Sequence, residues 1–484
     1  MSIKNIIPQK IKNIYHLGQA ILANFIYGFP SRHIKIIGVT GTNGKTTTVQ
    51  MIGKILEEAG FKVAINSTIN FQIGARKWVN KTKFTTLSSL AVQKFICEAV
   101  KERCDYLVLE TSSHSLDQFR VWGISYAVAV ITNVTREHLD YHQTMEAYRR
   151  AKSRLFKNLK SNFQFSIFNF QSIFNDKNLE KNKKVSIVNL DMENPEDFLN
   201  FTADEKYGYT TKNQNANLKN KNDNEKLKIV AAENIEQGIN YSSYQLQTIN
   251  YKLSLPGKFN IENALAATCV GLSQNIDSET IKSALEKIKG IPGRMEYVPN
   301  NKGLDIIIDY AVTPDSLEKL YTLIKNINTQ SKKVIAVFGA CGERDRGKRP
   351  IMGRIVAKYA DYAIITNEDP YGENEVAIIN QVFSGIVGIE VDSEFPNFQF
   401  SNPLAMSSLA KPDNLKNPKT KFIEGINCFR ILDRREAIGK ALALAQAGDF
   451  VIVTGKGAEE IMAIGKERIP WKEKEVIKEE LAKL

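Results

Sequence analysis

Residues 36–48 read IIGVTGTNGKTTT, and this stretch decides the fold of the first half of the chain. Its apolar start predicts a buried strand, its glycines predict a tight loop, and the threonines at its end predict the start of a helix. A loop in this position turns backbone N–H groups and a helix N-terminus towards phosphate oxygens. Lys45 can reach the terminal phosphates, and Thr46 can bind Mg²⁺ through its hydroxyl. The stretch therefore predicts a site for a nucleoside triphosphate, with ATP and Mg²⁺ as the expected ligands.

The match to the general phosphate-loop pattern is incomplete, because Val39 stands where that pattern has its first glycine. An ordinary glycine-rich turn that happens to precede Lys-Thr is therefore the alternative. The strand before the loop and the predicted helix Thr47–Gly60 after it favour the phosphate site. The loop residues expected to contact ATP are Gly41, Thr42, Asn43, Gly44, Lys45, Thr46 and Thr47.

Outward from this loop, strands alternate with helices, which is typical of an α/β fold with a mainly parallel sheet. Further strands are predicted at Tyr106–Leu109 and Ala127–Ile131. In the second half, apolar runs at Asp305–Asp309, Val334–Phe338, Tyr362–Thr366 and Phe450–Val453 predict a second, Rossmann-like open sheet. The turn Gly290–Gly293 separates the two halves. We predict an N-terminal helical segment, a central ATP-binding domain and a C-terminal domain, at 1–33, 34–290 and 291–484.

Two segments stand apart from this alternation. Apolar residues at helical spacing predict a helix over Ile11–Tyr27, stopped by Pro30, which we expect to pack on the domain that follows; a membrane-surface helix is the alternative. Residues 160–250 are rich in Asn and Lys and read as a variable insertion with short antiparallel strands. The densest Asn/Lys runs, 213–217 and 219–224, are expected to form a solvated loop.

Composition narrows the class of protein. The chain has 484 residues, 43% hydrophobic and 24% charged, which is ordinary for a globular protein and enough for about three domains. No apolar run approaches the ~20 residues of a membrane span, and no signal peptide is evident, so a cytoplasmic protein is expected. Five scattered cysteines without a CxxC pair exclude a disulfide framework and a zinc ribbon. The net charge of +12 comes from dispersed lysines, which suits phosphorylated small molecules better than nucleic acid.

At the phosphate loop the sequence begins to resemble a known family. Residues 38–47 resemble the ATP loop of the Mur ligases and the folylpolyglutamate synthases. Other segments resemble the tripeptide-forming branch of the Mur ligases: Leu109–Arg120, Thr132–His142, Met145–Tyr148, Ala151–Lys152, Pro292–Glu296, Asp309–Ala311 and Arg344–Pro350. The resemblance covers roughly residues 35–475. It implies an ATP-dependent acid–amino-acid ligase that acts on a UDP-N-acetylmuramoyl-dipeptide-type acceptor through an acyl phosphate, in peptidoglycan precursor synthesis. The expected partners are small molecules, and a monomer is expected.

The residues themselves indicate where metal chemistry would occur. Glu110 ends a strand at the carboxyl edge where open α/β sheets bind ligands, and it is a suitable Mg²⁺ ligand. His138 follows the next strand; an isolated His is more often structural, but the resemblance implies a metal-site role. The resemblance also implies that Lys152 carries a carbamate formed with CO₂, which would make it an anionic metal ligand, whereas an exposed helix lysine is the plain alternative. Lys45, Glu110, His138 and Lys152 are the predicted catalytic residues.

The resemblance implies roles for further residues. It places Asn260, Asn263, Arg294 and Asp309 on ATP, the last two from the C-terminal domain. It places Thr85, Thr86, Ser112, Gln118 and Arg120 on the acceptor, where an arginine suits a carboxylate. It places Glu368, Asp369, Tyr371, Gly455 and Glu459 on the incoming amino acid.

Four departures from the family pattern bear on the substrate. The phosphate loop begins so early that the domain gripping the UDP end is expected to be missing or reduced to one helix. Val312 and Ala458 replace two histidines. The usual Asp-Asn-Pro-Arg segment reads Glu368-Asp369-Pro370-Tyr371, so the arginine that would pair with the far carboxylate of diaminopimelate is absent. We expect diaminopimelate to be disfavoured and a cationic amino acid such as lysine or ornithine to suit the two acidic residues.

Two other functions stay open at this point. A folylpolyglutamate synthase-like enzyme would use the same ATP chemistry on another acceptor, although the segment from Ser112 to Arg120 favours a muramyl peptide. A weakened Mur-like binding protein would explain Val312 and Ala458. A pure binding protein has no need for a phosphate and metal cage, which argues against the second alternative.

Overall fold

The computed structural model describes residues 8–82, 84–159, 183–212, 227–388 and 421–484. The chain divides into two compact units, Met1–Ile291 and Pro292–Leu484. The division falls within the predicted turn Gly290–Gly293. The Asn/Lys runs at 213–217 and 219–224 lie outside the described residues.

A nine-stranded sheet forms the centre of the first unit, in the order β4-β3-β2-β5-β1-β6-β7-β8-β9. Only the pairs β2–β3 and β3–β4 are antiparallel among its described strands, so the mainly parallel sheet is confirmed. Its strands are β1 (Lys35–Thr40), β2 (Val63–Asn66), β3 (Asn70–Ile73), β4 (Arg76–Val79), β5 (Tyr106–Glu110), β6 (Tyr126–Ile131), β7 (Val185–Asn189), β8 (Glu205–Thr210) and β9 (Leu227–Ala231).

Helices cover both faces of this sheet, because central strands such as β1 and β6 are apolar on both sides and need burial on both. They are α1 (Gln9–Tyr27), α2 (Lys45–Glu58), α3 (Ser89–Lys101), α4 (Ser113–Asp117), α5 (Leu139–His142), α6 (Met145–Lys157), α7 (Glu196–Leu199), α8 (Lys258–Ser273) and α9 (Ser278–Glu286). A separate antiparallel sheet contains β10 (Glu233–Gln237), β11 (Ser242–Leu246) and β12 (Ile249–Leu253).

The chain changes direction at β1, which lies between β5 and β6 in the sheet. The connection after β1 leads to β2 on one side of it, and the connection after β5 crosses to β6 on the other side, so the loops that follow these three strands surround a crevice at their carboxyl ends. Those loops begin with Gly41, Thr111 and Thr132. The topology therefore brings together the segments in which the sequence predicts the ATP and metal residues.

The prediction for residues 160–250 is wrong in part. We expected short antiparallel strands there, but β7, β8 and β9 extend the main sheet in parallel. Among the described strands after β6 in the first unit, only β10, β11 and β12 are antiparallel, and of these β10, β11 and the start of β12 fall in the predicted range. Strand direction depends on the distant strand that each one joins, and local composition does not contain that information.

The N-terminal helix packs on the first unit, as expected. Ala20, Ala23 and Asn24 of α1 are buried, and the Asn24 side-chain amide donates to the Trp122 carbonyl at 2.9 Å. The helix ends at Tyr27, as predicted, but Gly28 and not Pro30 ends it, because Gly28 takes a left-handed conformation (φ 65°) and caps the helix.

A six-stranded sheet forms the centre of the second unit, in the order β13-β14-β18-β15-β16-β17. Its strands are β13 (Glu296–Val298), β14 (Asp305–Asp309), β15 (Val334–Phe338), β16 (Tyr362–Ile365), β17 (Cys428–Arg430) and β18 (Phe450–Thr454), and a hairpin of β19 (Ile461–Ile464) and β20 (Glu467–Pro470) follows. Only β13 runs antiparallel to its neighbour among these six. The helices are α10 (Pro314–Ile327), α11 (Lys348–Tyr359), α12 (Glu375–Ile386), α13 (Arg434–Leu444) and α14 (Glu473–Leu481).

Candidate active site

The phosphate loop joins β1 to α2 and is held by the segment that follows β6. The Asn43 amide donates to Asn133 Oδ1 at 2.9 Å, and the Thr132 hydroxyl donates to the Asn43 carbonyl at 2.6 Å. A Cβ on Gly41, whose φ is 149°, would lie 1.8 Å from Thr132 Oγ1, so only glycine fits. The loop is a preformed cradle and not an ordinary surface turn.

Lys45 begins α2 and lies over the loop. Its Nζ donates to the Gly41 and Thr42 carbonyls at 3.0 and 2.8 Å. Asn263, on α8, also reaches the loop, because a Cβ on Gly44 would lie 2.2 Å from Asn263 Oδ1. The structure therefore brings Lys45 and Asn263 together at the predicted triphosphate site, whereas Asn260 bonds the Pro256 carbonyl at 2.7 Å one turn earlier.

We expect Gly44→Ala to weaken ATP binding at least tenfold, because the added methyl group meets Asn263 and φ is +83° at this position. Gly60→Ala is the matched control: its φ is +87°, but a Cβ there meets nothing within 4 Å. Both variants should lose about 1 kcal/mol of stability through backbone strain. Calorimetric titration with ATP measures the affinity of each variant, and equal affinities for the two would contradict the prediction.

Glu110 ends β5 as a buried carboxylate, 1% exposed. The Thr46 hydroxyl donates to its two oxygens at 3.1 and 3.2 Å, and Thr68 donates from its amide at 2.8 Å and its hydroxyl at 2.9 Å. These are all neutral donors, and no cationic side chain pairs with Glu110 among the described residues. A buried carboxylate beside a phosphate-loop threonine, without a protein counter-charge, suits a divalent cation that also contacts phosphate.

The described residues contain no group of three or more His, Cys, Asp or Glu that could hold a metal by themselves. That fits Mg²⁺, which takes one or two protein ligands and fills its shell with phosphate oxygens and water. Thr46 and Glu110 are the residues that would hold it.

Lys152 is buried on α6 and is 1% exposed. Its Nζ donates to the Gly41 carbonyl at 2.7 Å and lies 4.3 Å from the centroid of the Tyr148 ring. Burial lowers the pKa of this lysine well below its ordinary value, the charge of Lys45 lowers the pKa further, and Glu137 acts in the opposite direction. The plain alternative, an exposed helix lysine, is wrong because the side chain points at the phosphate loop.

His138 lies in a cluster of aromatic side chains. It has a left-handed backbone (φ 56°), and its ring centroid is 4.6 Å from that of His114 and 6.2 Å from that of Tyr148. His138 and Lys152 therefore both adjoin Tyr148, whose hydroxyl is 3.2 Å from Thr42 Oγ1. Burial lowers the pKa of His142, the fourth ring of the cluster, to about 4, so that it is neutral at physiological pH.

Four residues at this site were not predicted from the sequence: Thr68, His114, His142 and Tyr148. The two histidines and the tyrosine lie in segments that carry the family resemblance, and His138 and His142 have a one-turn spacing. No local signal marks Thr68, because its contact with Glu110 joins residues 42 positions apart.

The predicted acceptor residues lie around the end of β5. Thr85 accepts a hydrogen bond from the Thr68 hydroxyl at 3.1 Å, and Thr86 donates to the Glu110 carbonyl at 3.0 Å. Ser112 caps α4. Arg120 donates from one terminal nitrogen to the Thr86 carbonyl at 2.9 Å, while its buried Nε has no partner among the described residues. An unused N–H on this guanidinium suits a carboxylate.

In the second unit, the predicted residues gather at the carboxyl ends of β14, β16 and β18. Burial raises the pKa of Asp309 to about 6, and the Met295 amide donates to it at 2.7 Å. The guanidinium of Arg294 lies 4.4 Å from the centroid of the Tyr310 ring. The Tyr310 hydroxyl in turn donates to Glu459 at 3.4 Å.

The two acidic residues predicted to select a cationic amino acid have different surroundings. Lys456 donates to both carboxylate oxygens of Asp369 at 2.9 Å and to Glu459 at 2.5 Å, so Asp369 already has an internal counter-charge. Glu368 is 5% exposed, and its Oε2 accepts no hydrogen bond from any residue the structure describes. A Cβ on Gly455 would lie 2.8 Å from that oxygen, so Gly455 leaves it room.

Burial raises the pKa of Glu368 to about 7, from 4.5. At Glu368 the folded state therefore binds more protons than the unfolded state between these pH values. The contribution of this residue to the free energy of unfolding falls as pH rises through that window. We expect Glu368→Gln to remove this dependence and to gain up to about 3 kcal/mol relative to wild type above pH 7. The free energies of unfolding of the variant and of wild type can be measured by chemical denaturation from pH 4 to 8. The lowered pKa of His142 acts in the opposite direction but is common to both proteins, so the test is the difference in stability between them. A difference that does not grow as pH rises through the window would contradict the prediction.

Tyr371 stands where the family pattern has arginine, but positive charge is present nearby. The guanidinium groups of Arg344 and Arg468 lie 5.9 and 5.5 Å from the centroid of its ring. Because Asp369 is neutralised by Lys456 and these arginines flank Tyr371, the region is less acidic than the sequence indicates. The absence of an arginine at position 371 therefore does not remove all means of binding a second carboxylate.

Comparison with known proteins agrees with this geometry. Residues 39–271 match the Mur ligase middle domain, and residues 293–457 match the Mur ligase, glutamate ligase domain. The chain is 34% identical over 475 residues to the UDP-N-acetylmuramoyl-L-alanyl-D-glutamate--2,6-diaminopimelate ligase of Bacillus cereus, covering 97% of this chain and 82% of that protein. It is 33% identical over 474 residues to the UDP-N-acetylmuramyl-tripeptide synthetase of Roseiflexus sp., covering 96% and 82%.

Solved structures have the same fold. A UDP-N-acetylmuramoyl-L-alanyl-D-glutamate--2,6-diaminopimelate ligase aligns with a TM-score of 0.53 at 27% identity, over 93% of this chain and 78% of that one. A Mycobacterium tuberculosis folylpolyglutamate synthase, complexed with ADP and AMPPCP, aligns with a TM-score of 0.59 at 15% identity, over 91% and 92%. The second likeness concerns the fold alone.

Proposed function

The chain belongs to the Mur ligase family of ATP-dependent acid–amino-acid ligases, and from this premise we propose that it adds an amino acid to a UDP-N-acetylmuramoyl-dipeptide-type acceptor. The observation that carries the proposal is the phosphate loop with Thr46 and Glu110 beside it and Lys152 bonded to its Gly41 carbonyl. The names of the similar proteins supply the acceptor class. The reaction would serve peptidoglycan precursor synthesis.

The first step would transfer the terminal phosphoryl group of ATP to the acceptor carboxylate, giving an acyl phosphate and ADP. Lys45 would neutralise the phosphate charge from the start of α2, where backbone N–H groups add positive potential. Mg²⁺, held by Thr46 and Glu110, would offset the charge on the transferring group. Arg120 would orient the acceptor carboxylate through its unused N–H.

In the second step, the amino group of the incoming amino acid would attack the acyl carbon, and the carbon–oxygen bond to phosphate would break. An amide and inorganic phosphate result, and the amine loses one proton. Glu368 and Glu459 are acceptors suited to the ammonium group of the amino acid before it reacts. Gly455 leaves space beside Glu368.

We propose further that Lys152 is carbamoylated. A neutral amine is the form that attacks CO₂, and burial with the nearby Lys45 charge favours that form in Lys152. The new nitrogen–carbon bond converts the amine and CO₂ into a carbamate and releases one proton. Its anionic oxygens would offset the charge of Lys45 and offer a further ligand for Mg²⁺. His138, whose ring also adjoins that of Tyr148, is assigned to the same metal region.

The most direct experiment measures ADP formation with UDP-linked and UDP-free muramyl dipeptides, crossed with several amino acids. ADP that appears only with a muramyl acceptor and an amino acid together supports the proposal. ADP formed with a folate-type acceptor instead would indicate the folylpolyglutamate synthase-like alternative. If no ADP forms with an acceptor of either class, the result would indicate a binding protein. Dependence on UDP tests whether the UDP end of the substrate is recognised.

The amino acid is best decided by a panel of diaminopimelate, lysine and ornithine. If a second carboxylate binds near Tyr371, we expect Arg468→Ala to raise the KM for diaminopimelate at least tenfold, because a charge-assisted hydrogen bond is lost. The KM for ATP should not change. Arg354→Ala, an exposed residue of α11, is the control. A clear preference of wild type for lysine or ornithine would instead support the prediction made from the sequence.

A further inference from the structure

The solvent-facing side of α1 is apolar, which is the reverse of an ordinary surface helix. Its exposed residues are Ile11 (55%), Ile14 (69%), Tyr15 (64%), Leu22 (57%), Phe25 (45%) and Ile26 (59%). At 3.6 residues per turn, these positions fall within an arc of about 120°. The opposite side, with Ala20, Ala23 and Asn24, is buried against the first unit. We call the six exposed residues the outer stripe.

The outer stripe is not a requirement of the fold, because packing uses the other side of the helix. Asn13 bonds Asp117 at 3.1 Å and Asn24 bonds the Trp122 carbonyl at 2.9 Å, so these hydrogen bonds hold α1 from outside the stripe. Of the stripe residues, Phe25 also contacts buried Phe29, with 5.4 Å between the ring centroids. Exposing this many large apolar side chains to water is unfavourable. A contiguous patch of this kind on a soluble protein usually marks an interaction surface.

The charge around the outer stripe helps to decide what kind of partner binds there, a second copy of the chain or a lipid surface. Residues 9–32, which span α1 and the short helix after it, contain Lys10, Lys12 and Arg32 and no Asp or Glu. Lys12 lies on the helix at one border of the stripe, and Arg32 follows in the short helix Pro30–Arg32. Asp117, the acidic residue bonded to Asn13, is paired with Arg154 at 3.1 Å. The segment therefore presents positive charge beside an apolar surface.

A second copy of the chain fits this charge poorly. Two such helices would bring lysines together with no carboxylate in the segment to pair with them. An anionic bilayer fits both features, because it accepts apolar and aromatic side chains at the acyl boundary and attracts Lys and Arg at the headgroups. Among the described helices, none is long and apolar enough to cross a membrane. The helix would therefore lie in the plane of the surface.

We propose that α1 docks the protein reversibly on an anionic lipid surface through the outer stripe, with Lys12 and Arg32 facing the headgroups. None of the outer-stripe residues is among those placed at the phosphate loop, the metal site or the acceptor site, so docking would not require a change in the ligase chemistry. The full chain can be tested by co-sedimentation with vesicles of phosphatidylcholine alone and of phosphatidylcholine with phosphatidylglycerol.

We expect the protein to sediment with the anionic vesicles and at least tenfold less with the neutral ones. Raising the salt from about 0.1 M to about 0.5 M should weaken binding severalfold, because screening shortens the reach of the charges. The double variant Leu22→Gln, Phe25→Gln should bind at least tenfold more weakly, and Lys12→Glu should weaken binding further. All variants should keep unfolding temperatures close to that of wild type, because Leu22 and Phe25 are exposed and Lys12 is only half-buried.

The matched control is Val376→Gln, Ile426→Gln, which replaces two exposed apolar residues of the second unit (53% and 64%). It should bind vesicles as wild type does. Equal binding of wild type and the Leu22, Phe25 variant would overturn the proposal, and so would the absence of vesicle binding. A concentration-dependent dimer in light scattering that Leu22→Gln, Phe25→Gln abolishes would overturn it in favour of a second copy. None of these measurements depends on ligase activity.

Discussion

Replacing Lys152 with alanine should lower the turnover number on the order of 10³-fold, through loss of charge stabilisation in the phosphoryl transfer step. The side chain is buried, donates to the Gly41 carbonyl at 2.7 Å and adjoins the Tyr148 ring. Without it, the loop loses a hydrogen bond, and the metal region loses the carbamate that we propose. The ATP-dependent ligation rate with saturating substrates is the measurement.

Lys157→Ala is the matched control, because Lys157 lies on the same helix with its side chain exposed. It should keep wild-type activity. A structural role for Lys152 and the carbamate role are separated by removing CO₂: wild-type activity should fall in degassed buffer and return with bicarbonate. Unchanged activity without CO₂ would contradict the carbamate and leave the lysine itself as the active group.

A short carboxylate such as formate offers a second way to distinguish the carbamate role of Lys152 from a structural role. If the carbamate supplies an anion, added formate should partly restore the rate of Lys152→Ala by entering the space that the side chain leaves. It should leave wild type unaffected. Native mass spectrometry of wild type should detect an added mass equal to one CO₂, and Lys152→Ala should lack it.

The sequence predicted the phosphate loop and its flanking elements well, because their determinants are adjacent. The strand before Gly41 and the helix after Gly44 follow from apolar patterning and turn residues within one short stretch. Lys152 is a different case. Its position near the loop was expected only from family resemblance, since the hydrogen bond to Gly41 joins residues 111 positions apart.

The features that could not be predicted from the sequence have one cause, which is that partners distant in sequence decide a residue's environment. Asp369 was expected to select a cationic substrate, but Lys456, 87 positions later, neutralises it within the fold. β7, β8 and β9 were expected to be antiparallel, but they join a sheet whose direction is set by β1 and β6. The outward apolar side of α1 could be identified only when its packed side was known, because helical periodicity alone does not say which side faces the core.

Replacing Glu110 with glutamine should lower the turnover number by about 10²- to 10³-fold while leaving the fold intact. Glutamine has the same shape, and its amide oxygen can still accept from the Thr46 hydroxyl and the Thr68 amide. Its –NH2 group can donate to the Thr68 hydroxyl, which then donates to Thr85, so most of the network around position 110 is retained. What it loses is the negative charge that we propose holds Mg²⁺. The unfolding temperature should therefore change little, in contrast to the rate.

The dependence on Mg²⁺ makes this prediction specific. If Glu110 binds the metal, Glu110→Gln should shift the Mg²⁺ concentration for half-maximal rate upwards at least tenfold, and excess Mg²⁺ should recover part of the lost activity. Glu102→Gln, an exposed residue just after α3, should keep the wild-type Mg²⁺ dependence. A Glu110→Gln enzyme with a reduced rate but an unchanged Mg²⁺ dependence would contradict the metal role. Glu110 would then act by positioning Thr46 and Thr68 at the loop.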